Sequence, residues 1–502
     1  MLTTSYIDEH DMPLEFSGGR RHVDIRFGIM AHGVLDRDNR EDPMAMRLGL
    51  IGLPGPNESF LRWLEDATSG VPAKESNQPN LFPRFPGFGA ESPFNAFWSC
   101  DPRAQRTLSS RDIAQLLTVA SGAEIVRRVV EMYVAEIAYL ANEIDPDVII
   151  CVVPDDILEH LDRAAEQSAQ PVPSASDEQD DSDDPVRDIR HDFHHCLKAS
   201  AMTYRKPIQI VLPSTFSSGS RRKSTKKRRP QRHRKPRTLQ DPATRAWNFF
   251  TALYYKAGGV PWRLPRESSD YSTCYVGIGF YKSLDAARVA TSIAQIFNER
   301  GEGIIVRGGP ARLSKDDRTP HLNEEDSAAI LVECLTRYRD EHKTLPARLV
   351  VHKSSYFDAG ELAGIGQALQ QERVQMADML SIRKSSVRLF REGLYPVLRG
   401  THLSLGGPRH LLYTRGSVPF FETYPGLYAP RALEVLCDRT EQGRETLCRE
   451  ILSLTKMNWN NTQFDMRDPI TLRAARSVGD ILKYVPDTVA ADHIARRYSF
   501  YM

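Results

Sequence analysis

Four polar side chains follow one another at spacings that suit the binding of a terminal phosphate. His194 and Lys198 are four residues apart, so on a helix they lie one turn apart on the same face. Gln209 falls in the next expected strand, and Lys256 falls in the next expected helix. Their N–H groups would converge on one phosphate, and the planar His194 would stack on a base. From spacing alone, an ordinary exposed helix face remains the open alternative.

A basic segment and a histidine cluster give weaker signals. The segment 221–237 has eleven Lys and Arg residues and no acid, whereas 177–188 has seven acids and one Arg. The basic segment predicts phosphate binding with a steep salt dependence, or else a solvated loop paired with the acidic segment. A nearby cluster has the composition of a metal site: His191, Asp192, His194 and His195. Adjacent residues on a helix point in different directions, which argues against a dedicated metal there.

The composition favours a cytoplasmic protein with a large core. The chain has 502 residues, of which 41% are hydrophobic and 26% charged, and its net charge is +1. This length predicts two or three domains. No run approaches the roughly 18 apolar residues of a membrane helix, and the N-terminus lacks a signal-peptide pattern. The seven cysteines are scattered and never spaced C-x-x-C, which argues against a disulfide framework or a zinc ribbon.

The elements that position these residues alternate between strands and helices. Short apolar strands are expected at 47–52, 147–154 and 207–212, with helical patterns at 112–144 and 193–202. This order predicts a parallel, doubly wound α/β domain over 45–265. The charged segments 168–188 and 214–240 read as surface insertions in that domain. Residues 1–44 read as a linker-like entry segment that contains one half-exposed strand at 22–29.

A second block, 266–502, predicts a mixed sheet with helices. The expected elements are a strand at 275–280, a helix at 286–297, a strand at 303–307, a capped helix at 323–339, a strand at 348–352 and a helix at 470–484.

Four short motifs, taken in order, resemble the Argonaute family. They are Lys-Ala-Gly-Gly-Val-Pro-Trp at 256–262, Val-Gly-Ile-Gly at 276–279, Tyr-Pro-Gly at 424–426 and Leu-Thr-Lys-Met-Asn-Trp-Asn at 454–460. The chain resembles in particular the short prokaryotic Argonautes, which keep only the MID and PIWI domains. The resemblance implies a Rossmann-like MID domain over 45–265 and an RNase H-like PIWI domain over 266–502.

The resemblance also implies a pocket for the 5′ phosphate of a guide strand. His194, Lys198, Gln209 and Lys256 match the family's phosphate-binding pattern. Met502 ends the sequence and would supply a carboxylate to a Mg²⁺ ion that bridges the guide phosphates. No organic cofactor is implied.

The positions that hold catalytic metal ligands in the family's PIWI nucleases carry other residues here. The resemblance to the family places Gly279, Ser354 and Arg476 at these positions. A two-metal nuclease needs clustered carboxylates, so we expect no target cleavage. Lys456, Asn460 and Arg473 are expected contacts to nucleic acid in the PIWI groove.

The function implied is that of a guide-binding protein in prokaryotic antiviral and anti-plasmid defence. It would load a 5′-phosphorylated guide RNA, recognise single-stranded DNA and activate a partner with an APAZ domain. That partner would carry a TIR, SIR2 or nuclease effector. One alternative is an active guided nuclease that uses Asp316, Asp317 and Asp358 as its carboxylates. Another is a non-guided nucleic-acid binder that uses 221–237.

Overall fold

A computed structural model describes most of the chain. The described residues are 2–8, 10, 12–119, 122–160, 185–217, 239–266, 271–284, 288–297, 303–315, 318–390, 392–393, 396–426, 429–463, 466–485 and 495–502. Most of both charged insertions, with the whole of 221–237, lies outside these residues, as do Asp316 and Asp317. Among the helices that the structure describes, none combines the length and the apolar character of a membrane span.

The strands and helices have the following bounds. The strands are β1 Thr3–Tyr6, β2 Leu14–Glu15, β3 Arg21–His22, β4 Met44–Gly52, β5 Ala96–Ser99, β6 Gln105–Thr107, β7 Val148–Val152, β8 Ile208–Val211, β9 Thr273–Lys282, β10 Val289–Phe297, β11 Gly303–Leu313, β12 Pro320–His321, β13 Arg348–Lys353, β14 Met376–Lys384, β15 Thr401–Ser404, β16 Arg409–Leu412 and β17 Leu433–Arg439. The helices are α1 Ile25–His32, α2 Pro54–Thr68, α3 Ser110–Val119, α4 Gly122–Tyr139, α5 Pro185–Ala201, α6 Pro213–Phe216, α7 Pro242–Lys256, α8 Glu324–His342, α9 Ala359–Glu372, α10 Arg444–Leu454 and α11 Ile470–Leu482.

The first sheet is parallel, as the sequence predicts. Its strands run in the order β5–β4–β7–β8, and β6 also pairs with β4. All of these pairings are parallel. The central strand β7 has the sequence Val-Ile-Ile-Cys-Val, and all five of its residues are buried. A continuous apolar strand of this kind is typical of a parallel sheet that is covered on both faces.

The second sheet is mixed and larger. Its order is β1–β15–β16–β17–β14–β13–β9–β10–β11–β12. Strand β13 lies between β9 and β14 and runs parallel to both, whereas β10 is antiparallel to both of its neighbours, β9 and β11. The predicted α/β class with an RNase H-like mixed sheet is confirmed.

The helix predicted at 286–297 is wrong, because this segment forms strand β10. The strand pairs residue by residue with β9, from Val289 opposite Lys282 to Phe297 opposite Cys274. Val289, Thr291 and Ile293 are β-branched and suit a strand. The pairing of β10 with β9 and β11 therefore outweighs the helical spacing of its apolar residues.

The N-terminal segment 1–44 also differs from its prediction. The strand expected at 22–29 is largely helix α1, because the carboxylate of Asp24 caps the helix by accepting from the main-chain N–H groups of Arg26 (2.9 Å) and Phe27 (3.0 Å). Strand β1 pairs with β15, so it extends the second sheet. The segment is therefore an integral part of the fold and not a linker.

The two sheets share one hydrophobic core. A single cluster contains Leu48 of the first sheet and Val350 of the second. Two tryptophans fix the connection between them: the indole of Trp262 donates to the main-chain oxygen of Lys456 (3.1 Å), and the indole of Trp459 donates to that of Trp262 (3.1 Å). Buried indoles need such partners, and here each one joins the end of the first domain to the second.

Candidate nucleic-acid interface

Three elements bring the predicted phosphate-binding residues to one place. Lys198 lies in the last turn of α5, and Gln209 lies in β8. Lys256 is the last residue of α7, which ends there because Gly258 has a positive φ of +100° and leaves the helix. The two lysines therefore approach β8 from the ends of two helices.

The lysine amines converge on the main-chain oxygen of Met502. The Lys256 amine donates to this oxygen (3.2 Å), to the side-chain oxygen of Gln209 (2.6 Å) and to the main-chain oxygen of Ile208 (3.1 Å). The Lys198 amine also donates to the Met502 oxygen. The structure thus brings together Lys198, Gln209, Lys256 and Met502, which the sequence predicts to share a site.

Both lysine side chains are buried, and this changes their charge state. Lys198 is 2% exposed and Lys256 is 5% exposed. Burial lowers the pKa of Lys256 to about 7. Burial and the neighbouring charge of Lys256 together hold the pKa of Lys198 well below its usual value. Two adjacent buried amines favour an anionic ligand, because its charge would stabilise their protonated forms.

His194 lies one turn before Lys198 on α5, as predicted. Its ring packs edge-on against His195, with 5.4 Å between the ring centroids. The side chains of His191 and Asp192, the other members of the histidine cluster, lie outside the described residues.

The predicted Mg²⁺ ligand at Met502 sits in a donor set that does not fit a divalent cation. Its oxygen contacts the amines of Lys198 and Lys256, and the oxygen of Gln209 also accepts from Lys256. The two amines already donate hydrogen bonds to this oxygen, and in their protonated forms they would repel the ion at this place. The lysines can themselves supply positive charge to a phosphate.

The three positions that the resemblance assigns to catalytic metal ligands lie close together, where β9 and β13 meet α11. The N–H of Ser354, just after β13, donates to the main-chain oxygen of Ile278 in β9 (3.1 Å), and Gly279 follows Ile278. An ideal Cβ at Gly279 would lie 3.5 Å from the carbonyl carbon of Ala475, to which Arg476 is bonded. None of these three residues offers a metal-binding carboxylate, so this donor set does not fit catalytic metal ions.

The groove predictions have mixed outcomes. Lys456 is fully buried, and its amine donates to the main-chain oxygens of Met12 (2.8 Å) and Val23 (3.5 Å). The prediction of a groove contact at Lys456 is therefore wrong, because this amine satisfies carbonyls of the N-terminal segment. Asn460 is partly exposed in the turn after α10, and Arg473 is partly buried on α11. Their contacts to nucleic acid stay predictions.

A buried charge cluster near β13 was not found by sequence reasoning. Glu361 accepts from the amine of Lys353 (2.7 Å), the N–H of Leu322 (2.8 Å) and the N–H of Asp358 (3.0 Å). Its carboxylate also lies 3.1 Å from the ring of His321. The spacing of Asp358 and Glu361 is that of a capping box, and the structure confirms such a box at the start of α9.

This cluster bears on the alternative of a misaligned nuclease. His321, Asp358 and Glu361 offer ligand atoms within 4.8 Å of one another, a spacing compatible with a metal ion. The buried Lys353 amine already supplies a positive charge to Glu361. Asp358 caps α9 by accepting from the N–H of Glu361 (2.8 Å). The carboxylates of Asp358 and Glu361 are thus already engaged in a hydrogen bond and an ion pair within the protein.

Comparisons with known proteins identify the fold. No protein-family model matches the chain, and no curated protein matches it. Solved structures match it over nearly its full length. Clostridium butyricum Argonaute bound to a guide DNA and a 19-mer target DNA has 13% identity and a TM-score of 0.61, covering 97% of this chain and 54% of that one. Drosophila Piwi has 13% identity and a TM-score of 0.56, covering 97% and 55%.

A third match extends this pattern. Marinitoga piezophila Argonaute in complex with a 5′ OH guide RNA has 10% identity and a TM-score of 0.52, covering 99% of this chain and 59% of that one. The chain therefore spans little more than half the length of the structures it matches. At these identities the likeness establishes the fold: the chain has the architecture of about half of an Argonaute or Piwi protein.

Proposed function

We propose that this chain binds the 5′ phosphate of a guide strand in the pocket formed by Lys198, Gln209, Lys256 and Met502. The observation that carries the proposal is the convergence of two buried lysine amines from α5 and α7 on one point. Burial disfavours the protonated forms of these amines, and a phosphate dianion would stabilise them. His194 would stack on the first base from the preceding turn of α5.

We propose that the guide is RNA and that its target is single-stranded DNA. The resemblance to short prokaryotic Argonautes supports this choice. The matched structures contain guide DNA in one case and 5′ OH guide RNA in another, so the fold accommodates both chemistries. Base pairing would read the sequence of the target, while the protein would contact its backbone.

We further propose that the chain does not cut its target. The resemblance assigns Gly279, Ser354 and Arg476 to the positions of the metal ligands, and Asp358 and Glu361 are engaged in internal hydrogen bonds. Catalysis would then belong to an associated effector with an APAZ domain and a TIR, SIR2 or nuclease activity. Target recognition would activate that effector by shifting its conformation or assembly, as part of prokaryotic defence.

The proposed guide is tested by purifying the protein from cells with whatever co-elutes. The bound nucleic acid is extracted, treated with RNase, tested for a 5′ phosphate and sequenced. Short 5′-phosphorylated RNAs of uniform length support the proposal. The variant with Lys198→Met and Lys256→Met should lose this material, whereas Lys74→Met, which changes an exposed lysine of the first domain, should keep it.

The basic segment 221–237 supports a second candidate, a non-guided nucleic-acid binder. Deleting this segment separates the two functions. If deletion removes all nucleic acid while the double lysine variant keeps it, the pocket assignment is wrong. Proteins that co-elute with the intact chain, identified by mass spectrometry, test the effector proposal in the same preparation.

A further inference from the structure

A group of arginines surrounds Asp468 beside the start of α11, the helix that carries Arg476, one of the three positions that the resemblance assigns to metal ligands. Arg476 follows Ala475, which packs against Gly279 of β9. The side chain of Arg476 is 49% exposed, so its guanidinium reaches solvent. A cation here repels a divalent metal ion but attracts the same ligand that the metals would bind, a phosphodiester.

Asp468 holds Arg476 in place. Its carboxylate bonds the guanidinium of Arg476 (2.8 Å) on one side and that of Arg467 (3.2 and 3.3 Å) on the other. Burial alone would raise the pKa of Asp468, but the charges of Arg476 and Arg467 lower it to about 2. The carboxylate is therefore ionised at neutral pH and orients both guanidiniums. A guanidinium has five N–H donors, so a bond to Asp468 leaves donors for a second anion.

Positive charges lie close together around Arg473. Arg473, one turn before Arg476 on α11, donates to the sulfur of Met466 (3.3 Å), which is a weak acceptor. Burial lowers the pKa of Arg473, and the charges of Arg476 and Arg415 lower it further. Arg467 and Arg476 both bond to Asp468, and Arg473 lies within reach of the charges of Arg476 and Arg415. An anionic ligand would relieve the mutual repulsion of these guanidiniums.

We propose that Arg476, oriented by Asp468 and assisted by Arg473, binds one backbone phosphodiester of the target strand without a metal ion. This inference rests on the proposed guide-binding function. Arg476 would replace the catalytic metals as the group that neutralises this phosphate. The chain would then bind its target at the position where an active nuclease would cut it. This contact would lengthen the lifetime of the complex that signals to a partner.

The test measures binding of single-stranded DNA to the guide-loaded protein in EDTA. Arg476→Ala should weaken target binding by about tenfold and reduce the slope of log affinity against log salt by about one. Arg449→Ala is the matched control, because Arg449 is 42% exposed and pairs with Glu445 at 3.3 Å. The control should change target affinity by less than twofold. Arg476→Lys, which keeps the charge, should recover part of the lost affinity and excludes misfolding as the cause.

Targets with one neutral methylphosphonate at successive positions locate the contact. The wild-type protein should lose affinity at one position, and Arg476→Ala should be insensitive to the substitution at that position. Equal affinities for Arg476→Ala and Arg449→Ala, or additive losses at every position, would overturn the inference. Guide affinity is measured separately. A wild-type protein that binds no guide would overturn the proposed function, and this inference with it, whereas intact guide binding with unchanged target binding would overturn this inference alone.

Discussion

The amine of Lys256 lies 3.2 Å from the main-chain oxygen of Met502, although 246 positions separate the two residues. Lys256 ends the last helix of the first domain, and Met502 lies beyond the last helix of the second. Lys198, Lys256 and Met502 therefore come together only when both sheets are assembled around their shared core. We expect ligand binding in this pocket to stabilise the packing of one domain on the other.

The buried lysines predict a pH dependence for guide binding. The pKa of Lys256 is about 7, and a bound phosphate would raise it, so binding above pH 7 takes up a proton. Affinity for a 5′-phosphorylated guide should fall by up to about tenfold per pH unit above pH 7.5. Fluorescence anisotropy between pH 6 and 9 measures this, with a 5′ OH guide as the control that should show a flatter profile. A flat profile for both guides would contradict the assignment of Lys256.

Stability of the unliganded protein should have the opposite pH dependence. Burial lowers the pKa of Lys256 from 10.5 in the unfolded chain to about 7 in the folded one, so the unfolded state binds more protons between these values. Stability should therefore increase as the pH rises from 7 to 10. Thermal melts of wild type and Lys256→Met across this window isolate the contribution of Lys256, since the variant should lack it.

Removal of metal should leave guide loading unchanged. The oxygen of Met502 contacts two lysine amines, and the described residues around it offer a donor set that suits an anion. We expect EDTA to change guide affinity by less than about threefold. In parallel samples without EDTA, added Mg²⁺ or Mn²⁺ should give no cleavage of a complementary target. Metal-dependent cleavage that Asp358→Ala abolishes would establish the alternative of an active nuclease.

Gly277 should not tolerate a larger side chain. A Cβ added there would overlap the main-chain oxygen of Thr471, so α11 would have to move away from β9. We expect Gly277→Ala to lower the free energy of unfolding by about 2 kcal/mol or more. Gly366→Ala is the control, because a Cβ on this residue of α9 meets open space and Ala favours a helix. Equal urea-unfolding curves for the two variants would contradict the close packing at Gly277.

The ion pair of Lys353 with Glu361 should be costly to break. Both side chains are buried, and their charged atoms are 2.7 Å apart. Lys353→Met would leave the Glu361 carboxylate without its cation, so the free energy of unfolding should fall by about 3 kcal/mol. Arg337→Met, which removes the more exposed pair with Glu333, should cost less than about 1 kcal/mol in the same urea experiment. A similar small loss for both variants would show that Lys353 contributes little.

Strand β7 and the pocket residues could be predicted from sequence for definite reasons. The apolar run at 148–152 is long enough for a buried strand and too short for a helix. The convergence of Lys198, Gln209 and Lys256 was predictable because their spacing matched both the element order and a family pattern. In contrast, Val289–Phe297 forms a strand because β9 and β11 pair with its two edges, which local spacing does not reveal.

The charged residues were the hardest to place from sequence. Lys456 is a residue type expected to contact nucleic acid in a groove. It is buried because its amine donates to the main-chain oxygens of Met12 and Val23, which lie near the start of the sequence. Asp468 gave no signal, because its role depends on Arg476 lying two turns later on the adjoining helix. Partners at such separations follow from tertiary packing, so spacing alone does not identify them.

The most direct test compares the affinities of wild type and Lys256→Met for guides that differ only at the 5′ end. The wild-type protein should bind a 5′-phosphorylated guide RNA at least about tenfold more tightly than the same RNA with a 5′ OH, since a charged hydrogen bond contributes about 1.5–3 kcal/mol. In Lys256→Met this preference should fall to about twofold or less, with affinity for the 5′ OH guide unchanged. A preference that persists in the variant, or that is absent from the wild type, would contradict a phosphate pocket at Lys256.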